Sequence, residues 1–276
     1  MTNPTIPLDV RLREQRERIA FATVATDGRA AGSDADLIIP DRDLDRLLGA
    51  RPGAADPLEQ MFAWAEPRVN ARILEICCFD GENGVVLARG GARVTSVDLC
   101  EELCAIARRR AAINGVAERM EVLPMSVHDL RFPDESFDIV FGKASLHHLD
   151  LALARREILR VLRPSGIAVF TEPISLSPWL HAVRARVPVA PDCDSPDERQ
   201  LDAADLARFT SVFAETEVAY FRLAGRLVRL FPSLDRRLKR LDRALLDGVP
   251  ALHRWAGVCV FRVRKAARLG EGEGTP

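Results

Sequence analysis

The sequence is short of lysine: only Lys143, Lys239 and Lys265 occur, and arginine carries most of the positive charge. It also lacks an excess of either sign, with 39 basic residues against 40 acidic ones and a formal net charge of −1. Such a balance offers nucleic acid no general attraction. Aromatic residues make up 6% of the chain, with a single tyrosine, so no basic-aromatic strip for stacking bases is present. No apolar run reaches the length of a membrane-spanning helix. The opening stretch MTNPTIPLDVRLREQRER has no apolar centre and no small-residue cleavage site, and does not read as a secretory signal. The six cysteines, at 77, 78, 100, 104, 193 and 259, contain no C-x-x-C spacing. They fall inside periodic segments and read as reduced thiols of a cytoplasmic protein.

What is present is an ordinary globular composition, 47% hydrophobic and 29% charged over 276 residues. A chain of this length can bury a full core without metal or disulfide staples. Residues 1–70 read as a helical cap. Its helices are expected at Arg11–Ala20, whose charge run reads as a solvated face, at Asp41–Leu48 and at Pro57–Trp64, with a turn-rich break over 26–35. From residue 72 the pattern alternates. Strands are expected at Arg72–Cys77, Arg93–Asp98, Arg119–Leu123, Phe137–Phe141, Gly166–Thr171, Thr216–Phe221 and Val258–Val263, and helices at Glu82–Arg89, Glu101–Asn114 and Leu151–Leu162. This predicts an α/β fold: a mostly parallel, Rossmann-like seven-stranded sheet over 71–264 with helices on both faces. Lid insertions are expected at about 174–212, with two helices, and 222–250. Residues 222–247 form a basic, leucine-bearing stretch that reads as covering a substrate pocket or packing on the domain rather than lying on a membrane surface. Residues 265–276 read as a disordered tail.

The stretch ILEICCFDGENG, residues 73–84, runs a strand into a glycine-bearing turn and a helix, so backbone N–H groups face a ligand. The second strand ends at Asp98, 23 residues after Glu75, where an acid accepts hydrogen bonds from ribose hydroxyls. Two further segments, DLRFPDESFDIVFGKASLHHL (129–149) and REILRVLRPSGIAVFTEP (156–173), follow in order. Together, residues 72–173 resemble a class I S-adenosylmethionine-dependent methyltransferase of the small-molecule type. Residues 195–201 (SPDERQL) resemble a lid element of some members, and 1–70 carry a general likeness to the family's cap.

The resemblance implies S-adenosylmethionine as cofactor, held by Glu75, Cys77, Phe79, Gly81, Asn83, Asp98, Leu99, Ser126, Val127 and Lys143. The loop departs from the family, because Cys77 and Phe79 stand where its first two glycines do and only Gly81 is kept. Phe79 either turns its ring away from the cofactor, with Asn83 and Gly84 relieving the turn, or closes the pocket. Ser126 stands where many members have an acid, and would hydrogen-bond the adenine amino group, with Leu99 and Val127 as apolar walls. Lys143 either binds a carboxylate of substrate or cofactor or points out of the cleft. His148, His147 and, less directly, Glu172 are the candidate general bases. The expected function is methyl transfer to a small, biosynthetic acceptor, without nucleic acid or a membrane span. The alternatives are aminocarboxypropyl transfer or cyclisation releasing methylthioadenosine, or a related fold that has lost the cofactor.

Overall fold

The computed structural model describes residues 6–27, 33–177, 199–223 and 234–268 of the chain. The strand β1 (Arg72–Ile76) buries every residue after Arg72, with Ile73 and Leu74 fully enclosed on opposite faces. A strand buried on both faces needs helices on both sides, and the sheet is built that way. The other strands are β2 (Arg93–Asp98), β3 (Met120–Pro124), β4 (Phe137–Lys143), β5 (Leu162–Pro173), β6 (Glu215–Phe221) and β7 (Val258–Arg264). They form one seven-stranded sheet in the order β3-β2-β1-β4-β5-β7-β6. Strands β1 to β5 pair in parallel, and β7 runs antiparallel between β5 and β6. The chain moves outward from β1 in one direction and returns to β4 on its other side. The crevice at that reversal, outside the C-terminal strand ends, is where such sheets bind ligands.

The helices are α1 (Leu8–Thr26), α2 (Asp34–Leu37), α3 (Asp41–Leu48), α4 (Pro57–Ala65), α5 (Glu82–Arg89), α6 (Glu101–Ile113), α7 (Leu151–Val161), α8 (Ala203–Thr210) and α9 (Asp235–Gly248). On one face of the sheet, Met61 and Phe62 of α4 and Val85 and Val86 of α5 pack with Ile73 and Phe141. On the other, Ile158 of α7 and Phe209 of α8 pack with Leu74, Phe170 and Phe261. Local chemistry sets the ends of these helices. Asp56 accepts the Leu58 N–H ahead of a proline at the start of α4, and Asp150 accepts two N–H groups of α7.

Several expectations change. Helix α1 extends beyond 11–20, and its charge run is not simply a solvated face: Glu17 is buried, and Arg13 and Glu14 are only partly exposed. Residues 265–268 are tied to the domain rather than free. Lys265 Nζ donates to the Leu162 carbonyl at 2.7 Å, and Arg268 pairs with Glu135. One of the two helices expected in 174–212 is α8, while 178–198 lie outside the described residues, as do the lid-like residues 195–198 and the N-terminal part of the basic stretch, 224–233. Helix α9 does pack on the domain. Leu246 is buried, Arg243 lies 4.9 Å over the Phe221 ring, and Lys239 reaches Asp56 at 3.1 Å. Leu234, Leu241 and Leu245 remain exposed on it. No helix among the described residues is long and apolar enough to cross a membrane.

Helix α1 is held by a small apolar seam. Phe21, Ala22 and Ala25 pack with Cys100, Leu103 and Ile106 of the α6 region, and Phe79 of the loop after β1 completes the group. The Phe21 and Phe79 rings meet edge to face with centroids 6.3 Å apart. Replacing Phe79 by glycine should relieve a left-handed backbone cost of about 1–2 kcal/mol yet release α1. Amide exchange over residues 8–26 should then accelerate while exchange in β1 and β4 stays unchanged. Equal protection of α1 in both proteins would show that the seam does not hold it.

Candidate active site

A cleft of about 1340 Å³ opens at the C-terminal ends of β1, β2, β4 and β5, and α1 forms part of its lining. Its floor is the loop that follows β1. Cys77 (φ 50°), Phe79 (φ 52°) and Gly81 (φ 79°) all take left-handed backbone conformations. The two non-glycine residues thus keep the shape that glycine adopts most cheaply, at a steric cost that the surrounding contacts must offset. Those contacts are visible. The Phe79 N–H donates to Asp98 Oδ2 at 2.9 Å, and the Phe79 ring lies in the α1 seam. The buried Arg110 donates through Nε to the Asp80 carbonyl at 2.9 Å and through Nη2 to the Asp80 carboxylate at 2.6 Å. The Phe79 ring packs toward α1 and α6, and Phe79 also lines the cleft. Gly84 does not relieve the turn; it makes room for Glu75, since a Cβ there would stand 2.5 Å from Glu75 Oε2.

Eleven of the thirteen residues singled out from the sequence line the cleft: Cys77, Phe79, Asn83, Asp98, Leu99, Ser126, Val127, Lys143, His147, His148 and Glu172. Glu75 and Gly81 do not. Glu75 lies beneath the floor, fully buried, with Ser96 Oγ donating to its Oε2 at 2.6 Å. Burial pushes its carboxyl up to about 7, against the pull of that hydrogen bond. Gly81 is the turn residue that starts α5, and a Cβ on it would meet Ala107 at 2.7 Å.

Asp98 ends β2 with both oxygens engaged. Besides the Phe79 N–H, its Oδ1 accepts the Cys100 N–H at 3.0 Å. Burial raises its carboxyl to about 6 although backbone N–H groups favour the charged form. Each oxygen keeps lone-pair capacity toward the cleft. Asn83, on the first turn of α5, has a buried Oδ1 with no hydrogen-bond partner. Burial and surrounding carboxylates push the Cys77 thiol well up, so it stays protonated. Cys78 turns to the opposite face of the sheet from Cys77, and no metal-holding group of side chains occurs among the described residues.

On the other side of the cleft Glu172, at the end of β5, is buried and fully occupied. Its Oε1 accepts the N–H groups of Ser145 and Leu146 at 2.9 and 2.8 Å, and its Oε2 lies 2.7 Å from His147 Nδ1. His147 is buried as well. His148 is more open, stacks edge to face on Phe21, and places Nδ1 3.3 Å from Glu17 Oε2. Lys143 is exposed on the lining and forms no ion pair among the described residues. Sequence reasoning missed the contribution of α1. Arg13 donates to the His147 carbonyl at 2.9 Å, and Glu14 meets Ser126 and His128. It also missed Arg110. The helix periodicity of α1 carries no apolar face that would announce this docking.

The floor loop, the acid at the end of β2 and the unpartnered Asn83 amide suit a nucleoside joined to an amino-acid tail, and the sheet order is that of a class I methyltransferase fold. Residues 74–170 match the family model described as a methyltransferase domain. That match makes this part of the chain similar to methyltransferase domains. A ubiquinone/menaquinone biosynthesis C-methyltransferase from Bartonella tribocorum is 30% identical over 132 residues, 45% of this chain and 50% of that protein. A demethylmenaquinone methyltransferase from Clavibacter sepedonicus is 29% identical over 197 residues, 68% of this chain and 74% of that protein. The chain spans about half the length of the first of these, and of a Haemophilus influenzae relative (48%). Among solved structures, geranyl diphosphate C-methyltransferase from Streptomyces coelicolor A3(2), with S-adenosyl-L-homocysteine bound, shares the fold with a TM-score of 0.51 at 16% identity, over 73% of this chain and 76% of that one.

Burial of Glu75 generates a pH prediction. Its folded pKa, about 7, lies above the ordinary 4.5, so folding favours the protonated acid. That contribution is fully present below about pH 4.5 and disappears as pH rises through 7. The group accounts for a loss on the order of 3 kcal/mol across that window. Glu75→Gln cannot ionise and should lose correspondingly less stability between pH 4.5 and pH 8, by urea unfolding. Identical pH dependence in the two proteins would contradict the assignment.

Proposed function

We propose that the chain is an S-adenosylmethionine-dependent methyltransferase acting on a small biosynthetic acceptor in the cytoplasm. The observation that carries this reading is the convergence, in one cleft, of Asp98, the left-handed loop after β1 and the histidine pair after β4. The cleft exceeds the roughly 300–1,000 Å³ of ordinary small-molecule sites, which leaves room for a cofactor and an acceptor together. Relatives named as methyltransferases of quinone biosynthesis support a small acceptor of that kind. When bound, the cofactor supplies an electrophilic methyl group on a sulfonium.

The chain's own residues bind, orient and deprotonate. Asp98 accepts from ribose hydroxyls, Leu99 and Val127 flank the base, and the Cys77–Gly81 backbone with Asn83 receives the amino-acid part. Lys143 takes a carboxylate of cofactor or acceptor. Glu172 and His147 hold the loop after β4 in place, which makes them positioning residues. His148 is left facing the acceptor and takes a proton from its O–H or N–H. Most of the acceleration comes from holding the partners aligned. No helix among the described residues is long and apolar enough to cross a membrane, and the near-zero net charge of −1 favours a small acceptor over nucleic acid.

Calorimetric titration with S-adenosylmethionine and S-adenosylhomocysteine tests the reading. Micromolar binding is expected, weakened about 10- to 100-fold in Asp98→Ala by loss of charge-assisted hydrogen bonds. Failure of the wild type to bind either compound would sink it. Turnover should release S-adenosylhomocysteine; release of 5′-methylthioadenosine would reassign the enzyme to aminocarboxypropyl chemistry. His148→Ala should lower kcat by about 100-fold or more, and an unchanged kcat would remove the proton-transfer role.

A further inference from the structure

The segment after β3 contains Ser126, Val127 and His128, and the end of β3 is in register with the end of β2, Asp98 facing Pro124. Leu99 and Val127 line the cleft together with Asp98. Those two walls are apolar, so a polar edge on a bound base must find its partner at the rim. Ser126 was the expected partner. Its hydroxyl is already committed in both directions: it donates to Glu14 Oε1, and it accepts the His128 N–H at 3.0 Å.

Glu14 reaches this point from α1. Its Oε1 is shared by Ser126 Oγ and His128 Nδ1, the latter at 2.7 Å. The orientation of His128 is not free. Its Nε2 accepts the Asp150 N–H at 3.0 Å, so the ring hydrogen resides on Nδ1 and points to Glu14. Burial would raise the Glu14 carboxyl, but the hydrogen bonds from His128 and Ser126 outweigh it and hold the group below the ordinary glutamate range. The second oxygen, Oε2, accepts no hydrogen bond from the described residues, and Glu14 lines the cleft. A charged carboxylate anchored through one oxygen and open at the other is an acceptor for a donor group from the ligand.

We infer that Glu14 of α1, fixed by Ser126 and His128, is the residue that reads the exocyclic amino group of the cofactor's adenine. The inference rests on the cofactor reading above and assigns base selection to the cap helix instead of the sheet. A 6-amino group donates to Oε2, whereas a 6-oxo group would set oxygen against oxygen. Discrimination should be steep, because a buried acceptor left unpaired is costly. The helix that carries Glu14 also touches the loops of His147 and Phe79 through Arg13 and Phe21, so the base-reading carboxylate is held in register with both.

The test compares S-adenosylhomocysteine with S-inosylhomocysteine by calorimetry, in wild type and in Glu14→Gln. The wild type should prefer the adenosyl compound by about 100-fold. Glu14→Gln can present an amide N–H to a 6-oxo group, and should lose most of that preference while remaining folded. A preference preserved in Glu14→Gln would reduce Glu14 to a tether for α1 and overturn the inference. So would equal affinity of the wild type for both compounds, a comparison that needs no variant. Failure of the wild type to bind either compound would instead remove the cofactor reading itself, and the inference with it.

Discussion

Buried carboxylates at the C-terminal edge of the sheet hold the loops that form the cleft. Asp98 accepts N–H groups from the loop after β1 and from its own strand end, and so ties two loops together. Glu172 accepts two N–H groups from the loop after β4 and pairs with His147. Burying an ionisable acid costs several kcal/mol unless it is satisfied. These acids are satisfied by backbone donors that have no intra-strand partner at that edge. The exchange is reciprocal: the loops acquire acceptors, and the acids acquire donors. Loops fixed in this way can present Asn83, His148 and Leu99 to one volume.

The departures at Cys77 and Phe79 show how such a frame absorbs an unfavourable residue. Each is left-handed, as glycine would be, so the backbone path is preserved and only the side chains are new. The Phe79 ring is directed to Phe21 and α6, where it buries apolar area and anchors the cap helix. The steric cost in the loop is thus offset outside it. A loop that in glycine form would only carry ligand contacts also carries a contact to α1. The cap and the floor of the cleft are mechanically joined through one aromatic pair.

The elements with strong periodicity were legible from the sequence. β1, β4 and β7 are largely apolar runs, and α5, α6 and α7 follow the expected Glu82–Arg89, Glu101–Asn114 and Leu151–Leu162 to within a residue. Residues lying at strand ends were legible for the same reason: once the strands are placed, Asp98, Lys143 and Glu172 must emerge at one edge. Glu75 shows where that reasoning stops. It lies on a strand next to the loop, but side-chain alternation turns it under the floor, where Ser96 and the space left by Gly84 receive it.

Periodicity and spacing along the chain therefore determined the sheet, its C-terminal ligand edge and the order of the segments on it, because the apolar runs and turn residues that mark each element are local in sequence. Tertiary structure alone decided what the charges of α1 do. Glu14 meets Ser126 and His128 across 112 and 114 residues, and Arg13 meets the His147 carbonyl across 134. A charge on a helix carries no mark of whether water or a distant loop will face it. The difference arises only when the Phe21–Phe79 seam docks the helix and strips the water from one side.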